Sequence, residues 1–215
     1  KEMLKENKPE YKIKLKTLYP AVTTDSITAE AFPDLIASFS TSFASSNANR
    51  ATNVILATER FNGKVVMPGE KLSFNSTVGK RTAARGYKEA SVYVNGETST
   101  DYGGGICQVS STLYNATVRA NLGITDRSNH MFIVGYVPIG TDATVSWGAP
   151  DFVFKNTRKY PIKIVATSAG RIVNFKIYGL KEDGDYDIEI KSTKTGTVPF
   201  KTTYTTDPTL PRGTE

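Results

Sequence analysis

The 215-residue sequence contains a single cysteine, Cys107, a single histidine, His130, and a single tryptophan, Trp147. One cysteine excludes an intramolecular disulfide, and one cysteine with one histidine excludes a zinc site of the usual Cys/His kind. No apolar run approaches the roughly 18 residues that a membrane-spanning helix needs. The scarcity of thiol and imidazole raises the question of whether Cys107 and His130 work together.

The charge is unbalanced, with 27 basic against 21 acidic residues and a formal net charge of +6. Such a chain is attracted to polyanions, which include nucleic acid, membrane surfaces and the anionic polymers of a cell wall. However, the basic residues are scattered, and no zinc-finger or RNA-recognition pattern is present. We therefore expect no nucleic-acid partner, whereas the charge fits anionic wall polymers.

Composition predicts a globular protein, because hydrophobic residues make up 39% of the chain. We expect one main domain with appendages. Residues 1–28 are predicted to be the tail of a preceding module with a linker, residues 29–182 the main domain, and residues 183–215 a strand and linker into a following module. Since the first residues are charged and unlike a signal peptide, we expect any targeting segment to have been removed.

Sequence periodicity predicts two helices, at 46–61 and at 108–121, each followed closely by a glycine stop signal. Alternating and apolar runs bounded by turn residues predict strands. These strands are expected at 64–67, 72–74, 90–94, 132–137, 143–147, 152–154, 162–166, 171–178 and 187–190. The pattern predicts an α+β fold, with two main helices packed on a mostly antiparallel sheet.

Three consecutive glycines, Gly103, Gly104 and Gly105, stand just before Cys107 and the second helix. Glycines permit a left-handed turn and let a ligand approach the main chain closely. The helix N-terminus places unsatisfied N–H groups and partial positive charge beside the thiol, which favours the thiolate. The same N–H groups are suited to stabilise an oxyanion. A lone cysteine is more often a small buried apolar residue, but the glycine turn favours a nucleophile.

A cysteine nucleophile needs a base, and the base needs a group that orients it. We expect His130 to be the base, carried at the start of the predicted 132–137 strand and facing Cys107. If the chain turns at 138–140, Asp151 comes close to His130. If it turns earlier, around 135–137, Asp142 lies opposite His130 instead. The sequence leaves both alternatives open.

Taken in order, these motifs resemble the VanW domain family of Gram-positive surface proteins, named after a gene associated with vancomycin resistance. The resemblance runs from about Arg50 to Gly179. It rests on residues 68–70 with 74–75, 81–83 with 86–87, 103–115, 136–138 with 140 and 142–145, and 151 with 154–156.

The resemblance implies a secreted peptidoglycan L,D-transpeptidase that lies in the cell wall or is anchored to the outer face of the membrane. Cys107 would attack the third residue of a donor stem peptide, D-alanine would leave, and the thioester would pass to an amine of another stem, which forms a 3-3 cross-link. His130 would be base and acid in turn, oriented by Asp142 or Asp151. No cofactor or metal is implied. The substrate and oxyanion candidates are Gly104, Gly105, Gln108, Ser110, Tyr136 and Trp147.

The flanking segments fit the same resemblance. The first residues are similar to the end of a peptidoglycan-binding module, and residues 196–215 to the start of a G5 module. A membrane contact is expected only through an N-terminal anchor outside this sequence.

Two other functions remain open at this stage. The same thioester given to water would make a cysteine peptidase or amidase of wall stem peptides. Alternatively, the glycine turn and helix N-terminus would hold a stem-peptide carboxylate in a non-catalytic peptidoglycan-binding module.

Overall fold

A computed structural model describes residues 32–94, 97–198 and 209. The predicted leader at 1–28 lies outside the described residues, as does nearly all of the predicted C-terminal linker beyond residue 198. The domain boundaries proposed at 28 and 182 therefore stay predictions.

The central sheet has four antiparallel strands in the order β1-β9-β8-β2. Their bounds are Asp34–Ser42 for β1, Val65–Val66 for β2, Ile162–Thr167 for β8 and Ile172–Gly179 for β9. Every second side chain of β8 and β9 is buried, as a sheet with one covered face requires. The main hydrophobic core therefore lies on one face of this sheet.

Two long helices cover that face. Helix α1 spans Ala48–Glu59 and begins at Asn47, whose side chain accepts a hydrogen bond from the backbone N–H of Arg50 at 2.9 Å. Helix α3 spans Ile106–Arg119 and packs against α1, β1 and β9. No helix in the described part of the chain is long and apolar enough to cross a membrane.

The remaining elements flank the helices. Short helix α2 spans Phe74–Val78, and a second sheet has the order β3-β7-β6. The strands of this sheet are Lys71–Ser73, Val153–Lys155 and Gly123–Asp126 for β3, β7 and β6. Strands β4 and β5, at Glu89–Val94 and Glu97–Tyr102, form a separate antiparallel hairpin. This hairpin leads directly into the glycine turn before α3.

The α+β class is confirmed, and both predicted helices are present within two residues of their expected bounds. The strands predicted at 132–137 and 143–147 are wrong, since this segment is an irregular loop with one isolated bridge between Ser128 and Thr144. Its main chain bonds to side chains of α3 rather than to a strand. Ser111 accepts from the backbone N–H of Ala143, and Ser110 donates to the carbonyl of the same residue.

His130 therefore lies on a loop and not on a strand. The strand predicted at 187–190 is also absent, because that segment runs without regular structure. Strands β1, β5 and β6 were not predicted. Their sequences are rich in Ser, Thr, Asp and Gly, which carry little strand signal, so long-range pairing decides their conformation.

The side chain of Asn53 connects helix α1 to the glycine turn and to Lys88. Its fully buried side chain donates to the carbonyls of Lys88 and Gly104 and accepts from the backbone N–H of Lys88. Asn53→Ala leaves the carbonyl of Gly104 and the backbone N–H of Lys88 without these partners, so we expect a loss of about 3 kcal/mol in the free energy of unfolding. Urea denaturation measures the loss. Thr52→Ala, which removes only a bond within α1, is the control and should change stability by less than about 0.5 kcal/mol.

Candidate active site

The glycine turn is shaped by what packs against it. Gly103 and Gly105 have φ angles of +91° and +102°. A Cβ on Gly103 would lie 2.7 Å from Cγ of Arg81, and one on Gly105 would lie 2.8 Å from Cγ of Arg50. A Cβ on Gly104 would lie 2.6 Å from the carbonyl oxygen of Ser91. All three positions therefore need glycine, and the turn brings two arginine side chains to the start of α3.

Cys107 lies in the first turn of α3 and is partly exposed. The backbone N–H groups of Ile106 and Gln108 donate to carbonyls of the glycine turn. In contrast, the N–H of Cys107 has no backbone acceptor within residues 32–94 and 97–198. The thiol donates to the carbonyl oxygen of Val145 at 3.4 Å. The nucleophile candidate thus has a free amide of its own beside it, at the positive end of a helix.

His130 is held by the buried carboxylate of Asp142. One oxygen, Oδ2, accepts from Nδ1 of the imidazole at 2.6 Å and from the backbone N–H of His130 at 2.6 Å. The other oxygen, Oδ1, accepts from Arg127 at 3.2 Å. With Nδ1 facing the carboxylate, Nε2 is the nitrogen left for the thiol of Cys107.

The pKa values of this pair shift in opposite directions. Burial alone lowers the pKa of His130, but a hydrogen bond and charge from Cys107, together with those from Asp142, raise it above its ordinary value. Burial alone raises the pKa of Asp142, but hydrogen bonds from the backbone and ring of His130 bring it below its ordinary value. The site therefore favours an imidazolium beside a carboxylate.

Five of the predicted substrate residues line one cleft together with Cys107 and His130. They are Gly104, Gly105, Gln108, Tyr136 and Trp147, and the cleft has a volume of about 610 Å³. The Tyr136 ring meets the imidazole edge-on at a centroid distance of 6.5 Å. Burial raises the pKa of Tyr136, so its hydroxyl stays protonated. In the part of the chain that the structure describes, no cluster of His, Cys, Asp and Glu is suited to a metal ion.

Two predicted site residues, Asp151 and Ser110, lie outside this cleft. Asp151 accepts from the backbone N–H groups of Asn75 and Phe152 and not from His130, so of the two alternatives the geometry selects Asp142. The chain indeed reverses near residue 136, as the Ser128–Thr144 bridge shows. Ser110 is fully buried and bonds the main chain of the 127–152 loop, so it is a structural residue.

The side chain of Gln108 does not provide an oxyanion donor. Its amide nitrogen donates to the hydroxyl of Thr41 and to the carbonyl of Ser42, which uses both N–H bonds. Its oxygen accepts from Arg50 at 2.9 Å. Gln108 therefore positions Arg50 rather than a substrate.

Sequence analysis missed three arginines at the site, namely Arg50, Arg81 and Arg127. Arg127 binds the carboxylate and the carbonyl of Asp142, and Arg50 and Arg81 line the cleft. Arg81 was visible within a motif that carried the family resemblance, but no role was attached to it. The available signal for Arg50 was a basic side chain in the first turn of a helix whose other charged residue is the last one, Glu59.

Because His130 is the single histidine, its ring gives one Cε1–H resonance in an NMR titration. We expect a pKa above the ordinary histidine value, and Asp142→Asn should lower it because the carboxylate charge that favours imidazolium is lost. Asp151→Asn removes the same charge at the alternative position and should leave the titration unchanged. A shift on Asp151→Asn equal to that on Asp142→Asn would contradict the assignment.

The pair also predicts how stability depends on pH. The pKa of Asp142 is below its ordinary value of 3.8, so its contribution is complete above pH 3.8 and is lost as pH falls through the folded-state pKa. The pKa of His130 is above 6.5, so its contribution is complete below pH 6.5 and is lost as pH rises through the folded-state pKa. Between pH 3.8 and pH 6.5, the free energy of unfolding of wild type should exceed that of Asp142→Asn by about 2 kcal/mol. Urea denaturation across pH 2–9 should show this difference shrinking on both sides.

Comparisons with known proteins identify relatives of this chain. It is 45% identical over 161 residues to YoaR of Bacillus subtilis, an alignment that covers 75% of this chain and 53% of that protein. It is 34% identical over 113 residues to the vancomycin B-type resistance protein VanW of Enterococcus faecalis, covering 50% of this chain and 41% of the relative. The chain thus spans about half the length of these relatives.

No solved structure shows significant similarity to the chain. The family model described as VanW-like protein matches residues 49–178, which include the glycine turn, helix α3 and the loop that carries His130 and Asp142. The chain therefore belongs to the VanW family.

Proposed function

We propose that this chain is the catalytic domain of a cysteine-dependent L,D-transpeptidase that forms 3-3 cross-links in peptidoglycan outside the cell membrane. The observation that carries the proposal is that Cys107 and His130 line one cleft, with the imidazole of His130 held by the buried carboxylate of Asp142. A thiol, an imidazole and an orienting acid are the three groups that acyl transfer through a thioester requires. Membership of a family that includes a vancomycin resistance protein supports a substrate in the cell wall.

The first half-reaction forms the thioester. The thiol proton of Cys107 passes to Nε2 of His130, and the sulfur bonds to the carbonyl carbon of the third stem residue. The negative charge on the former carbonyl oxygen is stabilised by the free N–H of Cys107 at the helix N-terminus. When the C–N bond breaks, the imidazolium returns its proton to the nitrogen of D-alanine, which leaves as an amine.

The second half-reaction forms the cross-link. The amine of an acceptor stem attacks the thioester carbonyl, His130 takes one proton from that nitrogen, and the C–S bond breaks. The proton then returns to the sulfur of Cys107, so the domain ends in its starting state. One peptide bond is exchanged for another, and no external energy source or cofactor enters the balance.

Asp142 supports both steps through the imidazole. Its carboxylate fixes Nδ1 as the protonated nitrogen, which leaves Nε2 to receive and return the proton. Its charge also stabilises the imidazolium formed in each half-reaction. The thiol bonds to the carbonyl of Val145 at rest, so proton transfer requires a rotation of the Cys107 side chain toward the ring. Hydrogen bonds between catalytic groups often become shorter and better aligned only when the substrate binds.

The proposal is tested with purified disaccharide-tetrapeptide muropeptides and mass spectrometry. We expect wild type to form dimers with the loss of one D-alanine per dimer, and a trapped acyl group to add to the intact mass of the protein. Cys107→Ala should form neither product. His130→Gln should reduce the rate by at least about 100-fold, because it removes the general base. Asp126→Asn, an exposed change outside the cleft, is the control and should keep the wild-type rate.

Each alternative has its own result in this assay. Dimers that still form with Cys107→Ala would overturn the nucleophile assignment. Shortened monomers without dimers would show a cysteine peptidase, in which water replaces the acceptor amine. Muropeptide that binds but stays unchanged would show a non-catalytic binding module.

A further inference from the structure

Two arginines in the cleft have no acidic partner. Arg50 donates to the hydroxyl of Ser46 at 2.6 Å and to Gln108 at 2.9 Å, both of which are neutral. Arg81 donates to the side-chain oxygen of Asn75 at 2.8 Å, and its Nη1 is buried without a hydrogen-bond partner. Neither forms an ion pair within the described part of the chain.

Two other arginines of this fold have acidic partners, whereas Arg85 and Arg119 bond neutral oxygens. Arg158 pairs with Asp185 at 2.6 Å, and Arg127 pairs with Asp142 at 3.2 Å. Burial of a guanidinium without a compensating charge is unfavourable, and it lowers the pKa of both Arg50 and Arg81. The buried Nη1 of Arg81, which has no hydrogen-bond partner in the described part of the chain, indicates that a ligand in the cleft supplies the missing negative charge at Arg50 and Arg81.

The fold fixes both arginines close to the nucleophile. Their side chains pack on Gly105 and Gly103, where any larger residue would collide with them. Both also interact electrostatically with Cys107, and all three residues line the same cleft as His130. The other charged groups of the cleft, Lys80 and Asp101, are exposed to solvent. An anion bound here would thus lie within a few bond lengths of the carbonyl that the thiol attacks.

We propose that Arg50 and Arg81 form a subsite for the C-terminal carboxylate of the donor stem peptide, which restricts the site to stems whose last peptide bond is the scissile one. This inference rests on the proposed function. In a tetrapeptide donor, the leaving residue carries its carboxylate one Cα beyond the scissile nitrogen. A guanidinium binds a carboxylate through two parallel hydrogen bonds.

A longer donor stem would not satisfy this subsite. One further residue replaces the carboxylate with a neutral amide and moves the charge by about 3.5 Å, the length of one extended residue. The two guanidinium groups would then stay unpaired in the cleft. The subsite therefore distinguishes the end of a stem from its middle.

The experiment measures binding to Cys107→Ala, which cannot consume the ligand. Calorimetry compares a disaccharide-tetrapeptide with the same molecule ending in a carboxamide. We expect the acid to bind at least about tenfold more tightly, since a charge-assisted pair is lost in the amide. A third probe carries lysine at the third position of the stem and so has no side-chain carboxylate there. Its acid should keep the same advantage over its amide.

Variants assign the effect to the arginines. On the Cys107→Ala background, Arg81→Gln should weaken binding of the acid by about tenfold and leave the amide unchanged, while Arg81→Lys should restore part of the loss. Arg119→Gln removes an equal charge outside the cleft, where Arg119 lies over the ring of Phe39, and should change neither affinity. Thermal denaturation checks that each variant is folded.

Several results would overturn the subsite. These are equal affinity for acid and amide, an equal loss of both in Arg81→Gln, dependence on the third-residue carboxylate instead, and no binding of either probe. The proposed acyl transfer is scored separately, by D-alanine release from the tetrapeptide with wild type. A preference for the acid without release leaves the subsite standing and contradicts acyl transfer. Equal turnover of donors that end in D-alanine and in D-alaninamide would support acyl transfer and contradict the carboxylate subsite.

Discussion

The structure of the site depends on the close packing of three glycines at the start of helix α3. Gly104 lies against the main chain of strand β4, and Gly103 and Gly105 lie against the stems of Arg81 and Arg50. Because glycine has no Cβ, the backbone can make these close contacts and turn sharply from the hairpin into the helix. The turn thereby sets where α3 begins, and so where the thiol and the free N–H of Cys107 are placed.

Helix α3 then organises the other half of the site through its small polar side chains. The hydroxyls of Ser110 and Ser111 hold Ala143, whose neighbour Asp142 in turn holds His130. In this way one helix carries the nucleophile and also positions the loop that carries the base. A loop without strand pairing can keep a defined geometry here, because its main chain is bonded to buried side chains rather than to solvent.

The sequence predicted those features that depend on local chemistry. Helix periodicity and the glycine turn predicted that Cys107 lies at the start of a helix, as it does, and the rarity of thiol and imidazole drew attention to Cys107 and His130. The choice between Asp142 and Asp151 needed the point where the chain reverses, which depends on contacts of the loop with α3, over 30 residues away in sequence. Gln108 could not be excluded as an oxyanion donor from sequence, since its partners Thr41 and Ser42 belong to a strand that carried little strand signal.

The charges around Cys107 have a consequence for the order of events in the proposed reaction. Arg50 and Arg81 make the cleft positive, which favours an anionic donor and disfavours a protonated amine. Under the proposed function, the donor carboxylate would be drawn in first, and it would leave again with D-alanine once the thioester has formed. The acceptor amine must then reach the thioester in its uncharged form. By that point His130 has given its proton to the leaving D-alanine, so the neutral imidazole can accept the proton that is released when the new amide forms. The same positive cleft would therefore bind the donor before the acceptor and keep the second step dependent on His130.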